Sequence, residues 1–66
     1  MNRKERINTI KQIIEYCIAN KGRADKEALV SLLTAKYAIS RRTIAEYVNS
    51  AIALSGYRVI EQVIID

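Results

Sequence analysis

The sequence predicts a small, mainly α-helical domain with a short β element at its carboxyl end. Two observations indicate this fold class. Apolar residues recur at helical spacing through most of the chain, and the final segment after Gly56 is rich in β-branched side chains. Half of the 66 residues are hydrophobic, which is enough for one small core without disulfides or metals. We therefore treat residues 1–66 as a single domain.

The first helix is predicted over residues 2–19. Its apolar stripe follows helical spacing and consists of Ile7, Ile10, Ile14, Cys17 and Ile18, with Ile13 beside it. Cys17 is the only cysteine, so it cannot form an internal disulfide, and we interpret it as a small core residue. Asn20 or Gly22 is expected to end the helix in a left-handed conformation.

Three cations, Arg3, Lys4 and Arg6, open this first helix. Positive charge at a helix N-terminus opposes the macrodipole, so these residues do not stabilise the helix end. Two interpretations remain open. The segment is either a solvated, partly frayed start, or an arm that lies along phosphates.

A second helix is predicted over residues 25–36, with Asp25 as its N-cap. Its buried side is expected to contain Ala28, Leu29, Leu32 and Leu33, with Tyr37 at its end. The helical spacing breaks at 36–40, and Ser40 is a strong N-cap for a third helix over 41–54. No glycine or proline stands at the junction, so periodicity alone also permits one continuous helix.

In the third helix, one face is apolar and the other is polar. The inward residues are Ile44, Val48, Ala51 and Ile52, and the outward residues are Arg42, Ala45, Glu46 and Asn49, with Arg41 at the leading edge. Tyr47 lies between the two faces. It is expected to pack inward or, as the resemblance described below implies, to stack on the backbone of a bound nucleic acid.

Residues 57–65 are expected to be β structure. One arrangement is a tight hairpin that turns at Glu61 and Gln62. The other is a single strand that pairs with a second copy of the chain. Neither Glu nor Gln favours the positive φ of two-residue hairpin turns, whereas a lone apolar strand leaves an aggregation-prone edge. The second consideration favours the hairpin.

Composition excludes several classes of function. The chain has no histidine and one cysteine, so it lacks the ligands for a structural zinc site and the histidine that would activate a cysteine nucleophile. We expect no enzyme, no metal, no cofactor and no small-molecule ligand. No long apolar run or signal-peptide layout occurs, which predicts no membrane segment and a cytoplasmic location. The net charge of +4 is compatible with nucleic acid but is also common among other soluble proteins.

Residues 37–44, Tyr-Ala-Ile-Ser-Arg-Arg-Thr-Ile, resemble the "y-G-I-S-r-r-T-v" turn of many bacterial and archaeal helix-turn-helix regulators. Three helices followed by β structure are similar to a winged helix-turn-helix domain with a minimal hairpin. Two positions depart from the pattern, because Ala38 replaces a usual glycine and Thr34 a usual alanine. The isoleucine-rich, histidine-free composition resembles small regulators of archaea, their plasmids and viruses.

The resemblance implies sequence-specific binding of double-stranded DNA by a dimeric transcriptional regulator, with helix 41–54 in the major groove. Ser40 and Thr43 would donate to phosphates, and Arg41 and Arg42 would divide phosphate and guanine contacts. The full set of candidate DNA-binding residues is Lys26, Lys36, Ser40, Arg41, Arg42, Thr43, Glu46, Tyr47, Asn49 and Arg58. In this set Glu46 and Asn49 would contact base edges, Lys26 and Lys36 would contact phosphates, and Arg58 is the only cation of the hairpin.

Both the role of the two arginines and the function of the domain have an alternative interpretation. Arg41 and Arg42 are either DNA contacts or a solubilising helix start. The whole domain is either a DNA-binding protein or a module that binds another protein or coats DNA without sequence preference.

Overall fold

The computed structural model describes residues 2–66 and confirms the predicted fold class of three helices with a small β element. The elements in chain order are α1 (Arg3–Lys21), β1 (Ala24–Asp25), α2 (Lys26–Tyr37), α3 (Arg41–Ser55), β2 (Arg58–Ile60) and β3 (Val63–Ile65). None of the helices in this range has the length and apolar character needed to cross a bilayer.

Side chains cap each helix at its N-terminus. Asn2 accepts a hydrogen bond from the Glu5 amide at 2.8 Å, and Asp25 accepts one from the Ala28 amide at 3.2 Å. At the C-terminus of α1, Gly22 takes the left-handed conformation with φ of 78°. Because Gly22, not Asn20, terminates the helix, α1 continues two residues beyond the predicted end at residue 19.

The predicted break between α2 and α3 is present, and a continuous helix through this region is excluded. Ala38 takes the left-handed conformation with φ of 54° and ψ of 40°, and its amide donates to the Thr34 carbonyl at 3.0 Å. This conformation brings the alanine side chain close to the backbone and costs about 1–2 kcal/mol. The next helix begins after Ser40, whose hydroxyl accepts from the Thr43 amide at 3.3 Å.

The last residues form a hairpin, so the alternative of one long strand is wrong. β3 is the central strand of the order β1-β3-β2 and is antiparallel to both neighbours. The β2–β3 register pairs Ile60 with Val63 and leaves Glu61 and Gln62 as the two turn residues, with φ of 49° and 67°. The short β1 joins this hairpin because Ala24 pairs with Ile64.

One apolar core lies where the three helices and the sheet meet. Its buried residues are Ile7, Ile10, Ile14, Ala24, Leu29, Val30, Leu33, Ile44, Tyr47, Val48, Ala51, Ile52 and Ile64, and Cys17 packs half-buried against them. The predicted inward positions of Leu32 and Ala28 are wrong. Leu32 is 63% exposed and Ala28 is also exposed, because the buried face of α2 runs through Val30 instead.

Candidate nucleic-acid interface

The outer face of α3 carries polar side chains that no other element covers. Arg42, Glu46 and Asn49 are all exposed, and their spacing of four and three residues places them on one stripe. Ala53 continues the stripe with a small side chain. The Arg42 side chain is 91% exposed, and its Nε lies 3.9 Å from the Glu46 carboxylate. Such an exposed pair contributes little energy, so the guanidinium stays available to an external acceptor.

At the start of α3, Ser40 and Thr43 are bonded to each other. The Ser40 hydroxyl donates to Thr43 Oγ1 at 3.0 Å and also accepts from the Thr43 amide. In this arrangement the Thr43 hydroxyl accepts from Ser40 and keeps its own proton as a donor. No acidic residue lies in the first turn of α3, so the positive end of its dipole is not neutralised locally.

Arg41 does not share the outward position predicted for it. Its guanidinium forms an ion pair and hydrogen bond with Glu27 of α2, and also donates to the Ser31 hydroxyl at 3.0 Å. These contacts hold the side chain, which is 49% exposed, against the flank of α2. The structure therefore distinguishes the two arginines by position, because Arg41 is held against α2 whereas the Arg42 side chain is 91% exposed on the outer face of α3. The predicted division of DNA contacts between them stays a prediction.

Tyr47 packs inward, and the alternative of stacking on a bound backbone is corrected. Only 8% of the residue is exposed, because it lies on the side of α3 that meets α1. The guanidinium carbon of Arg3 lies 5.7 Å from the centroid of its ring. Tyr47 therefore belongs to the core, and its ring forms a cation–π contact with Arg3.

The two lysines predicted to contact phosphates lie at opposite ends of α2, about 15 Å apart along the helix. Lys36 is exposed in the last turn, with its Nζ 5.8 Å from the ring centroid of Tyr37. Lys26 is half-buried in the first turn, where its amide donates to the Gln62 carbonyl at 2.9 Å. Only Lys36 lies beside the turn that leads into α3.

The hairpin contributes little to a basic surface. Arg58 donates to the carbonyl of Asp66 at 3.3 Å, and Glu61 places a carboxylate at the hairpin tip. Beside this strand, burial against the core and the carboxylates of Glu15 and Asp66 raise the pKa of the Tyr57 hydroxyl. A group with a raised acid pKa stays neutral over a wider pH range, so Tyr57 adds no charge there.

The structure places two arginines of α1 over tyrosines of the neighbouring helices, and neither arginine is in the predicted set of DNA-binding residues. Arg3 lies over Tyr47 as described, and Arg6 lies over Tyr37, with its guanidinium carbon 5.7 Å from the ring centroid. The sequence contained one signal for them, namely their unfavourable position at the start of α1. It gave no indication that α1 would bring them to these two tyrosines.

Comparisons of the chain with protein-family models, with curated proteins and with solved structures found no match. We therefore base the function on the residues themselves. The candidate residues at the turn and on the exposed side of α3 are Lys36, Ser40, Arg42, Thr43, Glu46 and Asn49. Arg3 and Arg6 of α1 lie over Tyr47 and Tyr37. The side chains of Arg41, Tyr47 and Arg58 contact other parts of the chain, and Lys26 lies at the end of α2 opposite the turn.

Proposed function

We propose that this protein is a sequence-specific DNA-binding domain of the winged helix-turn-helix class rather than an enzyme, with α3 as the helix that enters the major groove. The observation that carries the proposal is the uncovered polar stripe Arg42–Glu46–Asn49 on the second helix of a helix–turn–helix pair. A helix of this kind fits the major groove with its first turns against base edges.

Each side chain of the stripe matches a base edge by its donors and acceptors. The Arg42 guanidinium fork matches the O6 and N7 acceptors of guanine, and the Asn49 amide matches adenine. Glu46 would accept from the N4 amino group of cytosine. Because Arg42 and Glu46 are one helical turn apart and already adjacent, they would contact neighbouring base pairs.

Contacts to the DNA backbone would come from the start of α3. The Thr43 hydroxyl and the free amides of the first turn are donors suited to a phosphate, and the helix dipole favours an anion there. Lys36 would add a charge contact beside the turn. These groups fix the position of α3 but carry no sequence information.

We further propose that the protein acts as a homodimeric transcriptional regulator inside the cell that holds its DNA target. Two surfaces suit a second copy. Tyr16 is 70% exposed on α1, and β2 is an edge strand paired on one side only within residues 2–66. A two-fold dimer would present α3 helices to half-sites about one helical turn apart.

Titration of a random-sequence duplex at several salt concentrations tests the proposal. We expect binding whose logarithmic affinity falls linearly with the logarithm of salt, with a slope of about −0.9 per phosphate contacted. Selection from a random pool should then enrich a defined site. Failure to bind duplex at any salt concentration would overturn the proposal, and binding without any enriched site would indicate a non-specific DNA coat.

A protein-binding module is the second candidate function. It is favoured by Leu54, which is 70% exposed beside Ile7 and Ala53 in an open groove between α1 and α3. Apolar surface of this kind is typical of contacts with other proteins. Absence of duplex binding in the titration above would favour this candidate.

A further inference from the structure

The two sides of α3 differ in their available positive charge. The Arg42–Glu46–Asn49 stripe of α3 has a neighbouring residue about a third of a turn away on each side. Arg41 lies on the side that meets α2, and Tyr47 lies on the side that meets α1. On the α2 side, Glu27 neutralises Arg41. On the α1 side, Arg3 lies over Tyr47 of α3, and Arg6 of α1 lies with Lys36 over Tyr37 at the end of α2. We call Arg3, Arg6 and Lys36 the α1-side cluster, because two of the three cations belong to α1. The cations around α3 therefore differ, because Arg41 is paired with Glu27 whereas those of the α1-side cluster lie over tyrosine rings.

Tyrosine rings hold all three cations of the α1-side cluster in place. Arg3 lies over Tyr47, whereas Arg6 and Lys36 both lie over Tyr37, and the three distances to the ring centroids are 5.7, 5.7 and 5.8 Å. Cation–π contact restricts these side chains without neutralising them. The cluster is therefore arranged before any ligand arrives.

Within the part of the chain that the structure describes, no carboxylate pairs with the α1-side cluster. The ion pairs within residues 2–66 join Lys11 to Glu15, Arg41 to Glu27 and Arg42 to Glu46. Glu5, the one acidic residue in the first turn of α1, forms no ion pair with these cations. The Nε of Arg6 is buried and has no hydrogen-bond partner in the described chain.

This arrangement is unfavourable for the isolated protein. Arg3 and Arg6 are like charges three residues apart on one helix, and both lie at the positive end of the α1 dipole. An anion bound beside them would remove both sources of repulsion. Three cations without a carboxylate partner, placed over two tyrosines, suit a polyanion with several charges better than a single small anion.

We propose that the α1-side cluster binds the sugar–phosphate backbone along one edge of the groove that α3 enters. This inference rests on the proposed DNA-binding function and assigns α1 a direct role in it. Duplex DNA would then contact two elements, with base edges on the α3 stripe and phosphates on the start of α1. The α2 side of α3 would contribute fewer phosphate contacts, because Glu27 occupies Arg41.

The test compares two double variants with the same loss of charge on a random-sequence duplex. R3Q/R6Q removes two cations of the cluster, and K21Q/R23Q removes two cations near the far end of α1, about 27 Å from Arg3 along the helix. We expect R3Q/R6Q to reduce the salt slope by about two units and the affinity at 0.1 M salt roughly ten- to a hundredfold. K21Q/R23Q should leave the slope nearly unchanged.

Two further variants keep the test decisive. R3K/R6K retains the charges and should keep most of the slope, and the single variant R3Q, at the exposed end of α1, should lose about one unit even if the double variant folds poorly. If the wild-type protein binds duplex and the salt slopes of R3Q/R6Q and K21Q/R23Q are equal, the role of the α1-side cluster is overturned but the proposed DNA-binding function is not. A wild-type protein that does not bind duplex would overturn both the cluster and the proposed function.

Discussion

Replacing Leu33 by alanine is expected to unfold a large fraction of the protein. Leu33 has no exposed surface and lies in α2 where the helix meets the rest of the core. Truncating a fully buried leucine costs about 2–5 kcal/mol through lost burial and the cavity left behind. A domain of this size has only about 3–10 kcal/mol of stability in total. Urea denaturation followed by circular dichroism measures the loss.

The neighbouring residue provides the matched control. Leu32→Ala removes the same atoms from a side chain that is 63% exposed, so the free energy of unfolding should change by at most about 0.5 kcal/mol. Similar losses for Leu32→Ala and Leu33→Ala would contradict the orientation of α2 described above.

Replacing Arg42 by alanine is expected to weaken binding to a selected DNA site by about 1–3 kcal/mol, or roughly 5- to 150-fold. Arg42 is the most exposed charge on the α3 stripe, and its guanidinium fork is suited to a guanine edge. On random duplex the loss should be much smaller, because base contacts contribute little there. Fluorescence anisotropy with the selected and random duplexes measures both affinities.

Arg41→Ala is the control for this prediction, since it removes the same charge one position earlier. Its guanidinium is held by Glu27 and Ser31, so we expect a smaller loss of discrimination and a stability cost of about 0.2–1 kcal/mol from the exposed ion pair. A larger loss of discrimination for Arg41→Ala would mean that Arg41 leaves Glu27 when DNA binds.

Local sequence signals predict the three helices and the carboxyl-terminal β element, whereas periodicity alone leaves the break between α2 and α3 open. Capping residues placed the starts of α2 and α3 because an N-cap requires only a side-chain oxygen within one turn. The β-branched residues predict β structure, and the aggregation-prone edge of a lone strand favours the hairpin. The hairpin forms although Glu61 and Gln62 both adopt a positive φ that their side chains disfavour. Pairing of β3 with both neighbours outweighs that local cost.

The candidate site was predicted less well than the fold, because it depends on contacts between helices that are distant in sequence. The Arg41–Glu27 pair joins residues 14 apart in sequence, and the contacts of Arg3 and Arg6 with tyrosines join α1 to α2 and α3. Helical spacing contains no information on how two helices pack against each other. The same reason explains the error at Leu32, because spacing defines a stripe but not the width of the surface that neighbours cover.

The central claim is that DNA lies against the outer face of α3 and the start of α1. Titrating a short duplex into isotope-labelled protein and following the backbone amide shifts by NMR tests it most directly. We predict the largest shift changes at residues 40–49 and near Arg3 and Arg6, with little change at Lys21 and Arg23. Changes confined to the far end of α1 and the hairpin, with α3 unaffected, would contradict it.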